Sequence, residues 1–113
     1  MNIEQLRKYC LSLPHATEDV KWGNDLCFCV GGKMFCVTGL DSGGKVSFKT
    51  TPEKFAELSE RDGIIPAPYV ARYHWVAMER PEAIENAELK DLIANSYQLV
   101  FDKLPAKTRR GLQ

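Results

Sequence analysis

Between Ile65 and Val76 the chain reads Ile-Pro-Ala-Pro-Tyr-Val-Ala-Arg-Tyr-His-Trp-Val, which gathers two prolines, three aromatic rings, an Arg and a His into one short stretch. Prolines fix the backbone, and Tyr69, Arg72, Tyr73, His74 and Trp75 offer stacking surface, donors and charge, so the segment suits a recognition surface. Tyr69, Tyr73 and Trp75 are the residue types of a stacking platform for single-stranded nucleic acid or a planar ligand, with Arg72 supplying the cation. Core packing competes for Trp75, because a Trp within a strand of so small a domain commonly closes the core. Trp22, beside Gly23 in a turn-like segment, is a candidate to rim the same surface.

A second group is basic. Lys33, Lys45 and Lys49 fall in strand-like sequence, and with Arg72 they could meet phosphates if the strands act as wings against a duplex. The competing reading makes them exposed strand and edge residues that keep a sheet soluble. Lys49 also directly precedes a helix start, where free N–H groups and the Thr50 and Thr51 hydroxyls could hold a phosphate or carboxylate. Thr51, as the N-cap, would already satisfy one of those donors.

Cys27 and Cys29 alternate onto one face of a strand, with Cys36 on the next strand and Cys10 in the first helix. Structural zinc sites favour two to four residues between paired cysteines and need a second pair, so buried reduced thiols are expected rather than a metal site. His74 stands without a recognisable partner, and the chain has neither a Ser nucleophile elbow nor a His-Glu-x-x-His pattern. The residues therefore predict a protein with no catalytic activity and no cofactor.

The elements that must position these groups follow from periodicity. Asn2 and Gln5 form a capping box for a first helix whose stripe is Ile3, Leu6, Cys10 and Leu13, stopped by Pro14. Leu26 to Val30 and Lys33 to Leu40 read as a hairpin about Gly31-Gly32. After a turn at Asp41-Ser42-Gly43-Gly44, Lys45 to Lys49 completes a three-stranded meander. Thr51, Pro52 and Glu53 open a short second helix through Phe55 and Leu58 that stops near Gly63. Trp75 to Met78 reads as a fourth strand. From Asn86 a long helix carries Leu89, Leu92, Ile93, Ser96, Tyr97 and Val100 on one face and ends before Pro105. This order predicts one α+β domain over residues 1–113, two-layered, with helices on one face of a mainly antiparallel sheet.

With 113 residues, 44% of them hydrophobic, the chain can bury a single core, and no apolar run approaches the length of a membrane span. Met1-Asn2-Ile3-Glu4 lacks the pattern of a signal peptide, so a soluble cytoplasmic protein is expected. Fifteen basic and fifteen acidic residues give zero formal net charge, which excludes a global field drawing the chain onto nucleic acid or an anionic membrane. Charge is nonetheless uneven. Glu79, Glu82, Glu85, Glu88 and Asp91 outweigh Arg80 and Lys90, whereas Lys103, Lys107, Arg109 and Arg110 face only Asp102.

Gly32-Lys33-Met34-Phe35, Phe48-Lys49 with Pro52-Glu53, Pro66-Ala67-Pro68-Tyr69 with His74-Trp75-Val76, Ser96-Tyr97 and Lys103-Leu104-Pro105 occur in an order and spacing that resembles the MmcQ/YjbR family. The resemblance extends to Leu11-Ser12-Leu13-Pro14 and Ala16-Thr17-Glu18 and covers nearly the whole chain. It implies a bacterial-type domain of CyaY-like (frataxin-like) α+β fold and a DNA-binding module of double-wing character. A frataxin-like fold would suggest iron, but the first helix carries only Glu4 as an acid, far from an oxygen-rich ridge.

Two partners remain open. DNA would be held through Lys33, Lys45, Lys49 and Arg72, weakly and with a salt slope of about −3 to −4.5. The alternative is a protein or small anionic ligand on the Pro66 to Trp75 surface, in a pocket lined by Trp22, Tyr69 or Trp75. Composition leaves the oligomeric state open.

Overall fold

The computed structural model describes residues 1–40 and 45–112. Six strands form one antiparallel sheet: β1 (Thr17–Lys21), β2 (Asp25–Val30), β3 (Lys33–Gly39), β4 (Val46–Lys49), β5 (Ile64–Pro66) and β6 (Trp75–Met78). Their spatial order is β1-β2-β3-β4-β6-β5. Four helices, α1 (Ile3–Ser12), α2 (Pro52–Ser59), α3 (Asn86–Asp102) and α4 (Ala106–Gly111), complete the fold, with short 3-10 turns at Ala71–Tyr73 and Pro81–Ala83. The α+β architecture with helices against one sheet face agrees with the expectation from sequence. None of the described helices is long and apolar enough to cross a membrane.

The local signals act as the sequence implies. The Asn2 side chain accepts from the Gln5 N–H while the Gln5 side chain accepts from the Asn2 N–H, closing the capping box of α1. Thr51 caps α2 by accepting from the Lys54 N–H, with Pro52 in the first turn. All six residues of the stripe on α3 are buried. Gly31 and Gly32, both at positive φ, make the two-residue connection of the β2–β3 hairpin. A Cβ at Gly31 would lie 2.6 Å from Leu104 Cδ1, so the hairpin tip packs directly beneath the chain that leads into α4. The expected turn at Asp41-Ser42-Gly43-Gly44 lies outside the described residues.

Three elements differ from the sequence reading. The meander has four strands because Thr17–Lys21 pairs with β2 at the sheet edge, where the charged sequence Thr-Glu-Asp-Val-Lys is largely exposed and carries no apolar alternation. Ile64–Pro66 is also a strand. It pairs with β6 at the opposite edge, where the missing N–H of Pro66 is tolerated. The basic tail after Pro105 forms α4, which has no buried residue to announce it.

The register sorts side chains between two unequal faces. Leu26, Phe28 and Val30 of β2, Phe48 of β4, and Val76 and Met78 of β6 join Leu6, Cys10, Leu58, Leu89, Ile93 and Tyr97 in the main core under the helices. An irregularity between Phe28 and Cys29 lets consecutive Phe35 and Cys36 both enter this core. Ser96 ties the layers together: its hydroxyl donates to the Phe35 carbonyl at 2.6 Å and accepts from the Lys49 N–H at 3.0 Å. Among the described residues no α-helix covers the opposite face. Its apolar cluster is small, with Ala67, Trp75 and Ala77 buried against Met34, Val37, Ile65 and Val70.

Candidate binding groove on the helix-free face

Pairing places Asp19, Cys27, Val37, Ser47, Ala77 and Ile65 in one row across the helix-free face. Segment 67–74 covers only one end of this surface, through Ala67 and Val70 packed beside Trp75. The uncovered part is a groove of about 510 Å³ lined by Trp22, Met34, Val37, Tyr69 and Trp75, with Asp25 and Ser47 as its polar groups.

The aromatic residues divide into floor and rim. Trp75 is 6% exposed and belongs to the small cluster, so its indole forms the floor. Trp22 is 71% exposed and Tyr69 is 99% exposed, yet both line the groove. Both also hold left-handed backbone, at φ 53° for Trp22 and 70° for Tyr69, a conformation costing a non-glycine residue about 1–2 kcal/mol. Strain of this kind persists only where the surroundings enforce it, and here it presents two large rings to solvent around an apolar floor. Tyr73, 48% exposed, lies in an adjoining groove rather than this one. The platform anticipated from Tyr69, Tyr73 and Trp75 is therefore a trough whose rim includes Trp22.

The adjoining groove, about 330 Å³, shares Met34, Val70 and Trp75 with the first and adds Lys33, Lys49, Lys103 and Tyr73. Lys49 faces Trp75 across the β4–β6 ladder. Burial and the nearby Lys103 ammonium push the Lys49 amine below its usual value, which marks a site where an anion would be favourable. Lys103 reaches this place from the end of α3, an approach that sequence spacing does not disclose. The other expected cations do not join it. Lys45 is exposed before the far end of β4, and Arg72 lies 4.8 Å over the Tyr73 ring without lining either groove.

His74 is in the left-handed region at φ 67°, edge-on to Phe55 with ring centroids 5.7 Å apart, and its carbonyl accepts from the Thr50 N–H and Oγ1. It serves as a corner between the 3-10 turn and β6. At the start of α2 the Thr50 hydroxyl donates to the His74 carbonyl, whereas Thr51 accepts from the Lys54 N–H and keeps its own O–H; both line a cleft of about 350 Å³ with Lys49 and Lys54.

The thiols are divided by the sheet. Cys10 and Cys36 lie in the main core, whereas Cys27 and Cys29 are buried on the helix-free side. Burial pushes the Cys27 and Cys29 thiols up, and the neighbouring Cys10 together with full burial pushes Cys36 well up. All three are thereby kept as neutral, weakly nucleophilic packing groups.

The fold recurs in known proteins. The YjbR family model matches residues 11–99, and the chain belongs to the YjbR family. It is 28% identical to YbdF of Escherichia coli O157:H7 over 114 residues, covering 97% of this chain and 93% of that protein. It is 26% identical to YjbR of Escherichia coli strain K12 over 116 residues, covering 99% and 98%. A Deinococcus radiodurans crystal structure with a DUF419 domain superposes with a TM-score of 0.87 at 28% identity, covering 98% of this chain and 87% of that one. A Pseudomonas syringae protein shares the fold at a TM-score of 0.72 and 22% identity, covering 88% and 99%.

Proposed function

We propose that this protein is a binding module without catalytic activity, and that its helix-free face takes single-stranded nucleic acid. Bases stack against Trp22 and Tyr69 over the Trp75 floor, while phosphates meet Lys33, Lys49 and Lys103. The observation that carries this reading is the continuity of the two grooves: an apolar trough with strained, exposed aromatic rims runs into a cluster of three lysines. A sheet with helices behind it and aromatics in front can splay unstacked bases, which a duplex does not offer. Double-stranded DNA is the weaker candidate, since Lys45 and Arg72 stand outside the grooves and leave three cations where a duplex needs more. A small anionic ligand with an apolar body is the second reading, favoured by a groove volume within the usual range for such ligands.

The test is fluorescence anisotropy of labelled single- and double-stranded oligonucleotides at low and near-physiological salt. Single-stranded binding with a salt slope of about −2 is expected, from three phosphate contacts. Trp22→Ala should weaken it by at least about fivefold, the lower end of the loss of one stacked base. Equal or tighter duplex binding that depends on Lys45 would overturn the proposal, as would no binding at low salt.

A further inference from the structure

The trough is electrically polarised. Its basic end is the cluster of Lys33, Lys49 and Lys103, and its opposite end holds one carboxylate, Asp25, beside the exposed Trp22 ring. Asp25 begins β2, and Lys33 faces Val30 at the other end of that strand, so the two ends stand about 17 Å apart at ~3.3 Å per residue. The Asp25 carboxylate has no hydrogen bond or ion pair among the described residues, although its register partner Lys21 lies across the β1–β2 ladder. Half-buried at the wall of an apolar groove, this carboxylate keeps solvent-accessible oxygens that can accept from donors on whatever occupies the groove.

From this polarity we infer that the groove selects a base by its hydrogen-bonding edge, with guanine preferred, a step that rests on the single-stranded reading above. A carboxylate accepts best from two adjacent N–H groups, and the N1–H and N2 amino group of guanine supply that pair. Adenine and cytosine offer one amino donor beside an acceptor. Thymine and uracil offer a single N3–H flanked by two carbonyl oxygens that a carboxylate repels, so they gain less than guanine. The stacking rings and the lysines hold any nucleotide; Asp25 alone distinguishes among them.

The experiment compares labelled hexanucleotides of thymidine carrying one central guanine, inosine or thymine, on wild type, Asp25→Asn and Lys49→Ala. Wild type should bind the guanine strand about tenfold tighter than the all-thymine strand, with inosine between them because it keeps N1–H and lacks the amino group. Asp25→Asn should remove that tenfold difference by weakening the guanine strand relative to the all-thymine strand, with thermal unfolding confirming that the variant stays folded. Thymine binding that falls in Lys49→Ala, combined with equal affinity for all three strands or a guanine preference unaffected by Asp25→Asn, would overturn the role of Asp25 while leaving the single-stranded reading intact. Failure of wild type to bind any of the strands would remove both.

Discussion

The two faces of the sheet solve opposite problems. Beneath the helices, Phe28, Phe35 and Phe48 are fully buried among Leu6, Leu58 and Ile93, and side chains meet in a dense core. On the other face the cluster around Trp75 is small, two of its flanking rings stand in solvent, and the backbone at those rings is strained. One face secures the fold. The other keeps apolar surface and conformational strain that contribute nothing to folding, an arrangement expected where a surface is retained for binding.

The contrast can be broken at either face. Phe48→Ala removes a buried ring at the centre of the sheet and should cost about 3–5 kcal/mol, a large part of the stability of such a domain, read as a shift in the denaturant midpoint. Ser96→Ala attacks the joint between helix and sheet. It strands the Lys49 N–H and the Phe35 carbonyl in the interior and should cost about 1–3 kcal/mol by the same measurement. On the helix-free face the sign reverses. Tyr69→Gly relieves about 1–2 kcal/mol of left-handed strain against a glycine entropy cost of about 0.5–1 kcal/mol, leaving stability unchanged or raised by up to about 1.5 kcal/mol. The same variant should bind single-stranded DNA more weakly in the anisotropy assay. Loss of stability in Tyr69→Gly would show that the two faces are not divided in this way.

The contrast also explains what the sequence disclosed. The packed face was legible, because the capping box at Asn2, the Thr51-Pro52 start and the Leu89 to Val100 stripe each carry a local signal that packing reinforces. The strands at the two sheet edges were not. Thr17–Lys21 has a polar sequence set by exposure, and Ile64–Pro66 is too short for alternation and ends in a proline. For the groove, residue type alone marked Trp22, Tyr69, Trp75, Lys33 and Lys49. Asp25, Met34 and Lys103 were missed, because nothing in their local spacing shows that β2, β3 and the end of α3 converge on one trough. The bulge after Phe28 hid the sidedness of Cys36 in the same way, since strict alternation from Phe35 would have sent it to the other face.

The close approach at Gly31 reaches further than a turn preference. Leu104 rests where a side chain at position 31 would stand, and the two lysines adjoining this contact are Lys33, just past the hairpin tip, and Lys103, immediately before Leu104. Any larger residue at 31 would have to displace the Leu104 side chain from that seat, which lies between the segments that carry those two ammonium groups. The seat of Leu104 between these two cations is thus gauged by the smallest residue in the chain, through a methyl group that the sequence leaves out.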